Sequence, residues 1–247
     1  MGMAPKRRSR VDQNGLAFAG SMLQMQLYVN EHPRTLNREI LKALPELAEQ
    51  APEIVWVSPL RKNRYREFWD AAFLRELGFP ELAKSLGEWW PRRGGPHWDA
   101  LARLEFLDGN PGILLAEGKS YPEEMYDKRG CAARSPVSVT KIETAIKETQ
   151  VWLGVEKPLE TWMRPLYQTA NRLAMLNWLM RKLDGRAWLV HVCFLNDPTH
   201  IGSTREEWER AFAAADELLG IEQAVPNYAH VFLDGLLRPS RSATIAP

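Results

Sequence analysis

A chain of 247 residues, 45% of them hydrophobic, is long enough for one α/β domain with a substantial core. Charged residues make up 26% and the net charge is +1, so the molecule is not a polycation, and nucleic-acid affinity would have to come from local patches. The longest strongly apolar run, Ala187 to Leu195, is too short to span a bilayer, and Cys131 and Cys193 form neither a disulfide framework nor a zinc site.

Lys6-Arg7-Arg8-Ser9-Arg10 reads as a solvated tail or a phosphate-contacting arm. The apolar stretch after it is interrupted by Gln24 and Gln26 and lacks a cleavage signature, so a cytoplasmic protein without a membrane segment is expected. Met22, Leu23, Met25, Leu27 and Tyr28 give residues 16–30 the apolar face of a helix. After Pro33, Thr35 caps a second helix carrying Ile40, Leu41, Leu44 and Leu47. Residues 1–50 thus read as a tail and helical decoration on a domain spanning 51–236, with a tail from 237 to 247. Ile54 to Val57 is a short strand. Arg61 to Leu86 reads as a helical segment divided by Gly78-Phe79-Pro80, with Arg64, Arg66, Glu67, Asp70 and Arg75 on its polar face. In the stiff stretch Trp89 to Pro96, Arg92 and Arg93 stand beside two glycines. They either hold a phosphate or simply form a basic turn.

Residues 98–105 alternate as a strand, Asp108-Gly109-Asn110-Pro111-Gly112 is dense in turn formers, and Ile113 to Ala116 is a second strand. The hairpin brings Asp99, near the start of the first strand, beside Glu117, near the end of the second. Glu117 and Lys119, two apart, share a face. Two carboxylates and an ammonium therefore converge, a donor set suited to Mg²⁺ and to a held water. His97 falls on the face of Asp99, as a ligand, a proton shuttle or a structural histidine.

Ser120 to Val137 has little periodicity and reads as a lid or substrate-contacting loop bearing Glu123, Glu124, Lys128, Arg129 and Arg134. Ser138 to Leu153 is a helix ended by Gly154, and a long helix is expected from Thr161 to Leu183. Ala187 to Leu195 reads as a buried parallel strand with His191 as a core histidine. Thr204 to Glu207 has the spacing of a capping box, opening a helix closed by Gly220, and Tyr228 to Leu233 is a last strand before a frayed tail.

Asp99 followed by Glu117-Gly118-Lys119 on neighbouring strands resembles the PD-(D/E)XK nuclease superfamily, with Trp98-Asp99 where Pro-Asp is common. The surroundings GGPHWDAL and LLAEGKSYPEE are similar to a bacterial branch assigned to that superfamily. The resemblance implies an α/β fold: a mixed central sheet flanked by helices, with the restriction-endonuclease-like αβββαβ core. It implies Asp99, Glu117 and Lys119 as catalytic residues and Asp99 and Glu117 as ligands of Mg²⁺ (or Mn²⁺). A helix before the strands often adds an acid in this superfamily, which points to Glu67 first and Asp70 second. RecB-like members carry Gln-x-x-x-Tyr on a helix near the site. Here Tyr167, Gln168, Asn171 and Arg172 have similar residue types in another order, expected to orient Lys119 or bind phosphates, alongside Arg92 and Arg93.

The expected function is a metal-dependent nuclease whose partner is nucleic acid. Many proteins of this fold act as dimers, which leaves a homodimer open. The alternative is a catalytically silent module of the same fold that binds nucleic acid or a protein. A third reading, Asp99 and Glu117 as an acid/base pair, needs one carboxyl with a raised pKa, and Lys119 works against that at Glu117.

Overall fold

A computed structural model describes residues 10–127 and 129–239. The predicted basic tail before Arg10 and Lys128 of the predicted lid lie outside them. The fold is α/β, a five-stranded mixed sheet flanked by helices.

Helices α1 (Gly20–Glu31), α2 (Pro33–Ala43) and α3 (Pro45–Glu49) come first. Proline stands at the first turn of α2 and of α3, where its missing N–H costs nothing. Thr35 is therefore inside α2 rather than its cap. Strand β1 (Glu53–Ser58) follows. The expected helix from Arg61 to Leu86 is not formed as one unit. The chain makes a single turn at Arg61–Asn63, a two-residue strand β2 (Phe68–Trp69), and then helices α4 (Ala72–Glu76) and α5 (Pro80–Trp89). Arg64, Tyr65 and Asp70 take left-handed backbone angles, so no helix runs through them. Pairing of β2 with β3 (His97–Trp98) overrides the helical periodicity.

Strands β4 (Ala100–Glu105) and β5 (Gly112–Lys119) form the predicted antiparallel hairpin, with Ala100 opposite Ala116. After a turn at Pro122–Met125 come α6 (Pro136–Leu153), α7 (Leu159–Met163) and α8 (Tyr167–Lys182). The predicted long helix is thus divided, because Pro165 cannot donate to a continuing helix and disfavours a helical residue before it. Strand β6 (Ala187–Leu195), α9 (Arg205–Leu219) and β7 (Tyr228–Asp234) complete the chain. The capping box is present, with the Thr204 hydroxyl accepting from the Glu207 amide and the Glu207 carboxylate from the Thr204 amide.

The sheet order is β1-β4-β5-β6-β7. β1, β4 and β5 are an antiparallel meander, and β6 and β7 run parallel to β5. Helices, a three-strand meander, helices and a parallel strand follow in the expected αβββαβ order. Ala102, Leu114, Ala116, Val190 and Val192 pack on one face against Met25, Leu36 and Ile40. Leu101, Ile113, Leu115 and Leu189 pack on the other against α6, α8 and α9. The N-terminal helices are accordingly one of the two layers that cover the sheet. Leu236, at the end of the expected domain, and Arg238, in the expected tail, are docked: the Leu236 amide donates to Gln24, and Arg238 pairs with Asp12 at 2.7 Å. Among the described residues no helix is long and apolar enough to cross a membrane.

Candidate active site

Asp99 sits at a bend. Before it, β3 pairs with β2; after it, β4 joins the main sheet. The bend ends the β4 ladder at Ala116, two residues short of Gly118, and the Asp99 carboxylate takes over, accepting the Gly118 amide at 2.8 Å. Asp99 is therefore fastened to the amide between Glu117 and Lys119.

Glu117 and Lys119 point from β5 toward α8, on the face they share with Ile113 and Leu115 of the same strand. Lys119 donates to Glu117 Oε1 at 2.6 Å and to Gln168 Oε1 at 2.8 Å. Arg172 donates through Nε to Glu117 Oε2 at 2.9 Å, and its NH2 reaches the same oxygen at 2.8 Å and the His97 carbonyl at 2.7 Å. Its remaining nitrogen donates to Asn171 Oδ1 at 2.7 Å, and the guanidinium lies 4.9 Å from the centre of the Trp98 ring. Glu117, Lys119 and Arg172 are 3%, 5% and 4% exposed, so this is a buried charge cluster and not a surface ion pair.

The carboxyls of the site are pushed in opposite directions. Burial would raise Glu117, but Arg172 and Lys119 more than offset it and hold the group at about 2. Burial and then the Glu117 charge drive Asp99 well above the usual carboxylate range, against the pull of Lys119. Among the described residues Asp99 has no ion-pair partner. Burial and Glu117 also raise Glu67, to about 7. Arg172 and Lys119 together thus keep Glu117 ionised, Lys119 pushing in the expected direction, while Asp99 becomes the raised carboxyl.

Glu67 reaches the neighbourhood from the loop before β2, not from a helix; it feels the charge of Glu117, and its own charge is felt at Asp99. The three-carboxylate ligand set is not formed, however. Among the described residues no three His, Cys, Asp or Glu side chains are placed to hold one ion. Asp70 is occupied elsewhere, accepting the Gly95 amide at 2.8 Å. Arg92 lies along Gly87 of α5 and Arg93 is exposed, both outside the charge cluster. Tyr167 turns toward Cys131 and Asn171 rather than Lys119.

His97 does not join the carboxylates: its ring is exposed and stacked on Trp69, and only its carbonyl serves the site. His191 is the expected core histidine, 2% exposed, with Nδ1 2.6 Å from the Tyr228 hydroxyl, and burial holds it neutral. The segment predicted as a lid is strapped down. Met125 is buried, the Asp127 amide donates to Pro165 and the Cys131 amide to Met163. Glu124 folds back to accept the Ser120 amide, and burial raises its pKa.

Of the polar face expected on α8, Gln168 holds Lys119 and Arg172 holds Glu117. They are one helical turn apart, so one face of α8 grips Lys119 and Glu117 together. Asp197, just after β6, accepts from Ser120, Gln24 and Thr199 at 2.7–2.9 Å and so ties α1 to the residue after Lys119. No local pattern announces that role. No family model, curated protein or solved structure matches the chain.

Proposed function

We propose that the chain is a cytoplasmic, metal-dependent nuclease of the PD-(D/E)XK type that hydrolyses phosphodiester bonds of nucleic acid. The observation that carries this reading is the junction of Asp99, held on the Gly118 amide, with Glu117 and Lys119 on the strand beside it. The strand order around that junction agrees with it.

The donor set fits a hard cation in part. Among the described residues Asp99 is a half-buried carboxylate with no ion-pair partner, raised by burial and by Glu117, and an added positive charge would relieve it. Asp99 and Glu117 would hold Mg²⁺ or Mn²⁺, with water and phosphate oxygens as the remaining ligands, as is usual for Mg²⁺. Such an ion supplies charge withdrawal from phosphate and a lowered pKa for bound water. Lys119 contributes a buried ammonium that stabilises negative charge as it develops on the phosphate oxygens. Gln168 fixes that ammonium and Arg172 fixes Glu117, so neither has to be ordered when substrate arrives.

One observation favours a second reading, a silent module of the same fold binding nucleic acid or a protein. Both oxygens of Glu117 already accept from buried cations, Lys119 and Arg172, which balance its charge without a metal. Labelled DNA and RNA incubated with Mg²⁺ or Mn²⁺ decide between them. Cleavage that disappears in Lys119→Ala supports the nuclease. No cleavage of any substrate, together with binding, supports the silent module.

A further inference from the structure

Trp69 is the one tryptophan of ten in the chain that is exposed; it is 40% accessible. It is not a loose surface ring. Trp69 pairs with His97 in the short β2–β3 ladder, and the exposed His97 imidazole stacks on it at 4.7 Å with an interplanar angle of 11°. The Asp70 carboxylate accepts the Gly95 amide and closes the same junction from the loop side. Backbone pairing therefore sets the orientation of a flat two-ring platform that solvent reaches.

The platform is joined to the charge cluster. His97 stands two residues before Asp99, and its carbonyl accepts from the Arg172 nitrogen that also holds Glu117. The two segments that build it carry Lys62, Arg66, Arg92 and Arg93, all exposed. Their own acids are engaged or turned inward: Asp70 on Gly95, Glu67 toward Glu117. Beyond the end of β5, Tyr121, two residues after Lys119, stacks on the exposed His200 at 5.1 Å and 5°. Flat rings thus leave the site along both strands that form it, and the segments that carry the Trp69 pair also carry exposed cations.

We propose that Trp69 and His97 form a stacking platform for the bases of an unpaired nucleic-acid strand, with Lys62, Arg66, Arg92 and Arg93 along its phosphates. A base inside a duplex is already stacked on its neighbours and offers no free face to a side chain. An unpaired base does, and stacking of this kind is tolerant of sequence. The substrate class is therefore single-stranded DNA or RNA. This deepens the nuclease reading by naming its substrate, but it rests on nucleic-acid binding and not on cleavage.

The test is binding without turnover. Short labelled single strands of DNA and of RNA, and a blunt duplex, are titrated in EDTA against wild type, Trp69→Ala, Trp69→Phe and His97→Ala, with circular dichroism as the fold control. Expected are tighter binding of a single strand than of duplex, a loss of roughly tenfold in Trp69→Ala, and near-wild-type affinity in Trp69→Phe. Trp69-dependent binding of either the DNA or the RNA strand supports the proposal. Equal affinity in wild type and a folded Trp69→Ala, preference for duplex, or binding of neither strand overturns it. Trp69-dependent binding in a protein that cuts nothing with Mg²⁺ or Mn²⁺ would sink the nuclease reading and leave the platform standing.

Discussion

Arg172 grips Glu117 with two nitrogens of one guanidinium, and both side chains are almost fully buried. The same guanidinium reaches the His97 carbonyl, so a single residue of α8 ties β5 to β3 across the bend at Asp99. Removing it leaves a buried carboxylate with only Lys119 and an unpaired carbonyl. Arg172→Ala is expected to cost about 3–5 kcal/mol of unfolding free energy, the range for breaking a buried pair. Arg172→Lys should recover only part, because one ammonium lacks the planar fork that serves both acceptors. Urea denaturation measures both. A loss below about 1 kcal/mol in Arg172→Ala would class the pair with exposed ion pairs.

Lys119 and Gln168 separate chemistry from folding. In Lys119→Ala, Glu117 keeps Arg172, so the fold should survive while cleavage is lost. Gln168→Ala leaves the Lys119–Glu117 bond in place but frees the ammonium on one side. Its cleavage rate should fall by roughly 10–100-fold, as expected when an orienting partner is lost, with substrate affinity little changed. Single-turnover rates alongside binding constants distinguish this from a folding defect. Rates in Gln168→Ala equal to wild type would show that Lys119 needs no such support.

Stability and metal response should depend on pH through the carboxyls. Glu67 is raised by burial and by Glu117, from an ordinary 4.5 to about 7. A raised carboxyl binds its proton more tightly in the folded chain. Its contribution is therefore fully present below the unfolded value and is lost as pH rises through 7. Glu67→Gln removes the titration, so the variant should gain on the wild type as pH increases across that window. Asp99 shifts in the same direction, so added Mg²⁺ should raise the melting temperature more as pH increases. Parallel melting curves for wild type and variant show no such divergence if Glu67 keeps an ordinary pKa.

The hairpin was legible because its causes are local. The turn formers between Asp108 and Gly112, the alternation of the two strands and the two-residue spacing of Glu117 and Lys119 lie within one stretch. β6 was legible as a continuous apolar run, and α9 by its cap and its terminal glycine. The segment from Arg61 to Trp69 was not, because its conformation is decided by a distant partner, the His97–Trp98 strand. Its helical spacing is real but loses to that pairing. The polar face of α8 is legible in its residue types and in the one-turn spacing of Gln168 and Arg172, but the division of labour, Gln168 on Lys119 and Arg172 on Glu117, is set by the fold. Asp197 depends on contacts with Gln24 and Ser120, far away in sequence, and no motif could foretell them.

Gly118 reports on the layer beneath the site. It lies between Glu117 and Lys119 and faces α1, where a Cβ would stand 2.6 Å from Met25 Cγ and 3.4 Å from the Phe194 ring. Met25 and Phe194 are fully buried and have little room to retreat. Its amide also carries the Asp99 carboxylate, so a shift of β5 here moves Asp99 with it. Gly118→Ala is expected to destabilise by about 1–3 kcal/mol, the usual cost of overpacking. It should also lower cleavage more than its stability loss accounts for, because Asp99 is displaced from Glu117. A companion Met25→Ala, which opens the space, should restore much of the activity while remaining less stable than wild type. Rates measured well below each variant's melting temperature make the comparison. If Met25→Ala restores nothing, the crowding against α1 is not what disturbs the site.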